Sequence, residues 1–281
     1  MTNFSLKPGV DNYAVMGHPV AHSKSPRIHI AFAGQTRQTL HYQAIKVAYG
    51  GFNEALTEFQ GLGGMGLNVT VPFKRDAQAA SDQLTERARR AHAVNTLWFD
   101  KDGRRCGDTT DGIGLVRDLT ANLGINLHGG RILILGAGGA VRGVLDPLFD
   151  AGSGYIVIAN RTVENAVKLA GMFSDRGEIL ACSYANLPAM QFHLVINGTS
   201  ASLQGQVPPL PDTVLKANTI CYDMMYADVA TPFVQWARDR AAGAVYDGLG
   251  MLVEQAAVSF EIWRGIRPET KPVIEMLRKR G

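Results

Sequence analysis

One lysine, Lys74, follows the apolar and β-branched segment LNVTVPF and stands directly before Arg75. Pro72 suits the first position of a helix and the residues after it continue at helical spacing, so the pattern predicts both cations in that helix's first turn. The partial positive charge of a helix N-terminus disfavours a cation there by roughly 0.3–1 kcal/mol. Lys74 is therefore either a solvated surface lysine whose small cost is tolerated or an amine that is placed there for chemistry.

A second candidate site is the glycine-rich turn in the segment RILILGAGGAVRG. A buried strand, residues 131–135, precedes three glycines at the start of a helix: Gly136, Gly138 and Gly139. Only glycine lets the backbone amides of a helix start approach a pyrophosphate closely. The match to G-x-G-x-x-G is imperfect because Val141 stands where a third glycine or alanine is usual, so a purely structural turn is the alternative. The position between a strand and a helix favours dinucleotide binding.

The end of the next strand, YIVIAN, predicts which dinucleotide binds. About 20 residues after the glycine turn, an NAD enzyme usually has an Asp or Glu for the ribose hydroxyls. This sequence has Asn160 and Arg161 there. A guanidinium without a carboxylate favours a 2′-phosphate, because arginine binds phosphate oxygens through paired, charge-assisted hydrogen bonds. The sequence thus predicts NADP, with a solvated loop cation as the alternative for Arg161.

Short apolar strands alternate with amphipathic helices along the chain and predict parallel α/β layers. The first half has the strands NYAVMG, HYQAIKV and LNVTV, with helices that open at Ser25-Pro26 and at Gly51. The strands RILILG, YIVIAN, HLVING and TICYDM then fit a dinucleotide-binding sheet, and two helices close the chain. The segment DGRRCGDTTDGIG, residues 102–114, is interpreted as a turn-rich connection and a domain boundary.

Composition narrows the class of protein. The 281 residues are 46% hydrophobic and 19% charged, which is typical of a soluble globular protein with two domains. The net charge of +3 is small and the basic residues are spread out, which argues against a nucleic-acid partner. We expect a cytoplasmic protein, because no leader pattern and no membrane-spanning apolar segment is visible. Three distant cysteines and scattered histidines indicate no metal site. The composition does not determine the oligomeric state, for which a homodimer is one option.

Eight separated motifs together resemble one family. They are GHPVAHSKSP, NVTVPFK, AVNTL, GDTTDGIG, GAGGAVRG, NRT, CYDMMY and GLGMLVEQA. In this order, from about Tyr13 through the C-terminal helices, the sequence resembles shikimate dehydrogenase. The resemblance implies an enzyme that reversibly reduces 3-dehydroshikimate to shikimate with NADPH, in the route to chorismate and the aromatic amino acids. It also implies an α/β substrate domain of residues 1–110 and 248–281, a Rossmann-type NADP-binding domain of residues 111–247, and a cleft between them.

The resemblance assigns the catalytic pair to Lys74 and Asp111. Oxidation of a secondary alcohol needs a group that exchanges the hydroxyl proton while a hydride leaves carbon. Lys74 either exchanges that proton directly or stays charged and stabilises the developing alkoxide, with water carrying the proton. The sequence leaves both mechanisms open.

The resemblance also implies a set of polar substrate-binding side chains, and several have an ordinary structural explanation. Ser25 before Pro26 is a good helix N-cap, whereas Ser23 has no capping role in that scheme. Polar residues at strand ends are often satisfied structurally, and Gln255 in an apolar helix would by default be an exposed polar position. Besides the catalytic pair, the implied substrate-binding residues are Ser23, Ser25, Asn68, Thr70, Asn95, Tyr226 and Gln255.

The cofactor positions follow from the same resemblance. Gly136, Ala137, Gly138, Gly139 and Ala140 correspond to the pyrophosphate loop, Asn160, Arg161, Thr162 and Asn165 to the adenosine phosphate contact, and Met224 and Gly248 to the surroundings of the nicotinamide. Glu86 also fits the pattern, but no physical role can be assigned to it.

Three positions depart from the family pattern. Thr109 and Ile30 each replace a frequent asparagine, and neither change removes a charged catalytic group. Many NADP-using relatives have a second arginine where this chain has Asn165, so Arg161 must provide most of the selectivity for the phosphate. The alternatives are therefore a quinate/shikimate dehydrogenase with relaxed use of NAD and NADP, or a catalytically silent NADP-sensing protein.

Overall fold

A computed structural model describes residues 4–199 and 201–279 of the chain. Its residues group into two compact units. Unit 1 contains the chain up to Gly114 together with Val253–Lys279, and unit 2 contains Leu115–Leu252. The functional roles expected of the two predicted domains stay predictions.

Unit 1 is built on a six-stranded mixed sheet. Its strands are β1 (Asp11–Gly17), β2 (Leu40–Lys46), β3 (Gly64–Val69), β4 (Gln83–Leu84), β5 (Thr96–Phe99) and β6 (Arg105–Asp108). They lie in the order β2-β1-β3-β5-β6-β4. The expected parallel arrangement holds for β1, β2 and β3, but β5 runs antiparallel to both of its neighbours.

Strand β6 lies inside the segment 102–114, so the interpretation of that segment as a turn-rich connection is wrong for Arg105–Asp108. These residues pair with β5 on one side and with β4 on the other, and Cys106 and Asp108 are buried. Glycine and aspartate are depleted in strands, but pairing on both sides and burial override that weak preference.

Unit 2 is built on six parallel strands. They are β7 (Arg131–Leu135), β8 (Tyr155–Ala159), β9 (Ile179–Cys182), β10 (Leu194–Asn197), β11 (Ile220–Asp223) and β12 (Ala244–Tyr246). Their spatial order, β9-β8-β7-β10-β11-β12, is the doubly wound order of dinucleotide-binding sheets. The predicted α/β class with a Rossmann-type sheet is confirmed. Strands β9 and β12 were not predicted from the sequence, because these edge strands are only partly buried and lack a continuous apolar run.

Ten α-helices occur in the described residues. They are α1 (Ser25–Gln35), α2 (Phe52–Gly61), α3 (Lys74–Ala79), α4 (Glu86–Ala91), α5 (Asp111–Arg117), α6 (Gly139–Asp150), α7 (Val163–Met172), α8 (Pro232–Asp239), α9 (Leu249–Arg264) and α10 (Lys271–Arg278). A π-helical turn, Asp118–Asn122, continues α5. Short 3-10 turns cover Tyr184–Asn186, Ala201–Gln204 and Asp212–Val214.

The core of unit 2 shows why its strands are readable from sequence. Alternate residues of β7 enter opposite faces: Ile132 and Ile134 pack on one side of the sheet, and Leu133 and Leu135 on the other. Both faces are buried, so the strand is apolar throughout.

Within the described residues, no helix is both long enough and apolar enough to cross a membrane. The same part of the chain gathers no group of three His, Cys, Asp or Glu side chains that could hold a metal ion.

Candidate active site

Lys74 lies at the start of α3 beside a carboxylate. The helix begins at Lys74 rather than at Pro72, so the first-turn position is confirmed and the predicted role of Pro72 as the first helical residue is wrong. The Nζ atom of Lys74 donates to Oδ2 of Asp111 at 2.6 Å, and the two side chains are only 16% and 11% exposed. Lys74 is therefore not a solvated surface lysine, and the neighbouring carboxylate offsets the unfavourable field of the helix start.

Asp111 is held by two partners. It is the first residue of α5, and its second carboxylate oxygen, Oδ1, accepts a hydrogen bond from Nδ2 of Asn95 at 2.9 Å. Because one oxygen faces Lys74 and the other faces Asn95, the carboxylate is fixed in orientation as well as in position.

Asn95, just before β5, is the centre of a buried polar cluster. Its Oδ1 accepts hydrogen bonds from the backbone N–H of Thr110 at 2.8 Å and from the Thr96 hydroxyl at 3.0 Å. Its Nδ2 also lies 3.2 Å from Oε1 of Gln255, which is buried in α9. The default expectation of an exposed Gln255 is thus wrong.

Asn68 on β3 extends this cluster. Its Oδ1 accepts a hydrogen bond from the Tyr42 hydroxyl at 2.7 Å, and its Nδ2 donates to the Ser259 hydroxyl at 2.9 Å. The same Nδ2 donates to the backbone oxygen of Asn95 at 3.2 Å. Hydrogen bonds therefore join five of the predicted residues within unit 1: Lys74, Asp111, Asn95, Gln255 and Asn68.

The two serines of AHSKSP flank Lys24, the N-cap of α1. Ser25 is the first helical residue of α1, after Lys24 as N-cap, so Ser25 is not the cap. Ser23 is not the cap either, as expected; its Oγ accepts the backbone N–H of Ser25 at 3.2 Å in a local serine turn. Ser25 is buried, and its hydrogen bond with Tyr42 opposes the burial that raises the pKa of that phenol well above its usual value.

Three other predicted residues, Thr70, Tyr226 and Glu86, lie in other places in the structure. Thr70 follows β3 and is partly buried, and no side-chain hydrogen bond in the described structure joins it to the cluster. Its Cγ2 fills the space beside Gly17, where an added Cβ would lie 2.3 Å away. Tyr226 is a partly buried residue of unit 2. Glu86 is exposed in the first turn of α4, where a helix dipole favours a carboxylate, and this accounts for its type.

The glycine turn of unit 2 fits a pyrophosphate. Gly138 is the N-cap of α6 and Gly139 its first residue. A Cβ added at either glycine would meet no protein atom within 4 Å, so the packing of the protein does not require glycine there. Close approach of a ligand to the amides at the helix start does require it, whereas Gly136 is needed for its own φ of +102°. The intervening Ala137 and the following Ala140 are partly buried.

The departure at Val141 is accommodated by a neighbouring loop. Val141 is fully buried, and its Cγ2 would lie 2.4 Å from a Cβ added at Gly198. Because Gly198 has no side chain, the larger side chain of Val141 fits where the motif usually has a glycine.

The end of β8 presents an exposed cation. Arg161 is exposed and forms no ion pair in the described part of the chain, while Nδ2 of Asn160 donates to the backbone oxygen of Thr162 at 2.8 Å. Thr162 is the N-cap residue of α7, and Asn165 is exposed in its first turn. This arrangement leaves the guanidinium accessible to an anion.

Met224 and Gly248 are in direct contact. A Cβ at Gly248 would lie 2.3 Å from the backbone oxygen of Met224, so only glycine fits there. The N–H of Gly248 donates to the backbone oxygen of Met225 at 2.9 Å.

Three comparisons with known proteins show the family of this chain. Family models match at residues 15–97 (shikimate dehydrogenase substrate binding domain), 118–233 (shikimate / quinate 5-dehydrogenase) and 248–278 (shikimate 5′-dehydrogenase C-terminal domain). A shikimate dehydrogenase (NADP(+)) of Alkalilimnicola ehrlichii is 55% identical over 95% of this chain and 98% of its own. The chain belongs to the shikimate dehydrogenase (NADP(+)) family. The predicted family, the NADP-dependent oxidoreductase class and NADP as the cofactor are confirmed.

Solved structures support the membership of the family. The shikimate 5-dehydrogenase of Thermus thermophilus, in complex with NADP(H) and shikimate, is similar with a TM-score of 0.84 and 32% identity, over 96% of this chain and 99% of that one. An Ael1 enzyme from Pseudomonas putida has a TM-score of 0.88 and 45% identity, over 95% and 98% of the two chains.

Sequence reasoning missed several residues that hold the candidate site residues in place. In unit 1 they are the hydroxyls of Tyr42, Thr96, Thr110 and Ser259. In unit 2 it is Asp223, whose carboxylate accepts hydrogen bonds from the N–H of Met225 at 3.0 Å and from Asn197 at 3.0 Å. Burial raises the pKa of Asp223, and these hydrogen bonds oppose the shift. A signal was available for Thr96, Thr110 and Asp223, which lie inside the family motifs AVNTL, GDTTDG and CYDMMY. Tyr42 and Ser259 lie outside the eight motifs.

Proposed function

We propose that this protein catalyses the reversible NADPH-dependent reduction of 3-dehydroshikimate to shikimate, in the pathway to chorismate and the aromatic amino acids. The observation that carries the proposal is the partly buried Lys74–Asp111 pair, bonded to Asn95 within a cluster of carboxamides. An amine held by a carboxylate and surrounded by directional polar groups suits a substrate that carries several ring oxygens.

The proposed substrate is a small cyclic acid with three ring oxygens. Asn68, Asn95 and Gln255 supply amide groups that can both donate and accept, which suits hydroxyl recognition. The hydroxyls of Ser23, Ser25 and Thr70 supply donors for the carboxylate and a ring hydroxyl. Tyr226 is the remaining proposed contact. The division of these contacts among the substrate oxygens follows the family resemblance.

Lys74 is the proposed proton-exchanging group. In reduction its ammonium donates a proton to the oxygen that becomes the new hydroxyl, and in oxidation the amine takes that proton back. Asp111 holds the amine in place through the 2.6 Å contact, and Asn95 holds Asp111. NADPH, when bound, supplies the hydride, and NADP accepts it in the reverse direction.

The cofactor is proposed to bind along unit 2. The amides of Gly136, Ala137, Gly138, Gly139 and Ala140 would hold the pyrophosphate, Asn160 to Thr162 with Asn165 the adenosine phosphate, and Met224 with Gly248 the nicotinamide. We give Glu86 no part in this binding, because its position at the start of α4 explains it.

The deciding experiment mixes the purified protein with shikimate and NADP and follows the absorbance of reduced nicotinamide. We expect rapid reduction of NADP with shikimate and much slower reduction with quinate or with NAD. Equal rates with quinate and shikimate would instead support the quinate/shikimate dehydrogenase, and no reduction with either acid would support the silent NADP-binding protein. Cytoplasmic location and a homodimer stay predictions.

A further inference from the structure

We propose that two buried hydroxyls, those of Thr96 and Ser259, are positioning residues that fix the orientation of the Asn68 and Asn95 carboxamides and, through Asn95, of Asp111. The inference rests on the proposed function, because it assigns a role behind the residues that are proposed to meet the substrate.

Neither hydroxyl can itself touch a substrate. Thr96 on β5 and Ser259 on α9 are both fully buried. Their oxygen atoms lie 2.8 Å apart, so one hydroxyl donates to the other. The pair therefore lies behind the carboxamides and acts only through them.

The direction of the hydrogen bonds can be worked out from Asn95. Its amide could in principle be turned by 180°, and only the surrounding donors and acceptors decide between the two orientations. The backbone N–H of Thr110 must donate, at 2.8 Å, so the atom facing it is the oxygen Oδ1. The Thr96 hydroxyl lies 3.0 Å from the same oxygen and therefore donates to it.

The rest of the order follows because each hydroxyl has one proton. The Ser259 hydroxyl has two acceptors within reach, the Thr96 hydroxyl at 2.8 Å and the backbone oxygen of Gln255 at 3.2 Å. With the Thr96 proton directed at Asn95, the shorter contact needs the Ser259 proton, so we assign it there and leave the longer contact without a proton. Ser259 then accepts from Nδ2 of Asn68 at 2.9 Å. Donors and acceptors thus run in one direction, from Asn68 through Ser259 and Thr96 to Asn95.

The same series of hydrogen bonds continues from Asn95 to the proposed catalytic pair, Asp111 and Lys74. With Oδ1 of Asn95 occupied on one side, its Nδ2 faces Oδ1 of Asp111 at 2.9 Å, and the other oxygen of Asp111 stays with Lys74. Without the Thr96 hydroxyl, one of the donors that hold the Asn95 amide is lost. The backbone N–H of Thr110 still holds the oxygen, but the amide is less restrained, and the Asp111 carboxylate that its Nδ2 holds would shift with it.

The test replaces Thr96 by valine, which keeps the shape and removes the hydroxyl. We expect Thr96→Val to lower kcat for shikimate oxidation about 10- to 100-fold, because a small displacement of a catalytic group has effects of that size. The KM for shikimate should rise and the KM for NADP should not change. Thr96→Ser, which restores the hydroxyl, should recover most of the activity.

A matched control is Thr219→Val in unit 2. Thr219 is also fully buried, and its hydroxyl donates to the backbone oxygen of Phe192 at 3.0 Å. The control removes a comparable buried hydrogen bond far along the chain from the proposed site, and both kcat and KM should stay at wild-type values. A purely structural role of Thr96 would make the two variants behave alike.

The outcomes separate this inference from the proposed function. A wild-type protein that does not reduce NADP with shikimate contradicts the proposed function itself. An active wild type with an equally active Thr96→Val variant, or with a Thr96→Ser variant that recovers nothing, overturns the positioning role alone. If Thr96→Val does not fold, Ser259→Ala decides in its place: a raised KM for shikimate with unchanged KM for NADP supports the role, and unchanged kinetics overturns it.

Discussion

The two candidate binding regions are built by opposite means. In unit 1, side chains from β3, β5, α5 and α9 meet in a buried hydrogen-bond cluster around Asn95. In unit 2, the glycine turn between β7 and α6 offers backbone amides with open space at Gly138 and Gly139. As proposed binding regions, the first would recognise its ligand by the identity of its side chains, and the second by the absence of side chains.

The difference follows from the chemistry of the two proposed ligands. A ring with several hydroxyls is distinguished from similar acids only by donors and acceptors in fixed directions, and buried amides that satisfy one another provide these. A pyrophosphate needs positive potential and close contact, which the first turn of a helix provides without any side chain. Substitutions should therefore have separable effects in the two regions.

The largest difference between the effect on turnover and the effect on NADP binding is expected from Lys74→Met. Loss of the proton-exchanging amine should lower turnover of shikimate about 10³-fold, while the dissociation constant for NADP stays unchanged. Steady-state kinetics and calorimetric titration of NADP measure the two quantities. Arg75→Met, at the exposed neighbouring cation, is the control and should be fully active. Turnover by Lys74→Met at the wild-type rate would remove Lys74 from the mechanism.

Gly138→Val should instead weaken NADP binding. A side chain at the N-cap of α6 should keep a phosphate from the backbone amides and raise the dissociation constant for NADP about 10- to 100-fold, the loss of one charge-assisted hydrogen bond. The thermal unfolding midpoint should hardly change, since no protein atom lies within 4 Å of the added Cβ. Gly171→Val, at another open glycine of unit 2, is the control for NADP binding. Unchanged NADP affinity in Gly138→Val would contradict the proposed pyrophosphate contact.

A third prediction tests the buried wall of the unit 1 cluster. Burial lowers the pKa of His29 from 6.5 to about 3, although the Asn68 amide opposes the shift, and its ring stacks on Tyr42 at 4.3 Å. The folded state thus binds fewer protons than the unfolded state, so stability is complete above pH 6.5 and falls as the pH drops towards 3. By pH 5 the loss from this one group should be about 2 kcal/mol.

The measurement is the free energy of unfolding in urea at pH 7.5 and at pH 5. His29→Phe should lose about 2 kcal/mol less between these two conditions than the wild type, because the variant has no imidazole to protonate. His22→Phe, at an exposed histidine, should keep the wild-type difference. An identical difference in all three proteins would show that His29 is not held neutral by burial.

The smallest effect is expected where the unit 2 region does use side chains. Asn165→Arg adds a second guanidinium near Arg161, and an exposed pair with the 2′-phosphate is worth about 1 kcal/mol. The KM for NADP should fall about fivefold and the KM for NAD should not change. Asn165→Gln, which is longer but uncharged, is the control. An equal effect on NAD would mean that the side chain does not meet the 2′-phosphate.

Much of the framework was predictable from local sequence. The apolar runs of β1, β2 and β3 and of the inner strands of unit 2 are visible because burial requires them. Lys74 at a helix start and the glycine turn were visible because helix termini and glycine leave local signals. Strand β6 was misread because its pairing partners lie outside the segment that contains it. Ser25 was misread as the N-cap of α1, which begins one residue earlier than the position of Pro26 suggested.

By itself, the sequence determined the kinds of groups available: two cations at a helix start, a glycine turn before α6, and polar residues inside apolar segments. Only the tertiary structure decided which of them meet. Asp111 reaches Lys74 across 37 residues, and Gln255 reaches Asn95 across 160 residues. These contacts depend on the antiparallel entry of β5 into the sheet and on where α9 packs, and both are set by the free energy of the whole unit 1 core rather than by neighbouring residues in the chain.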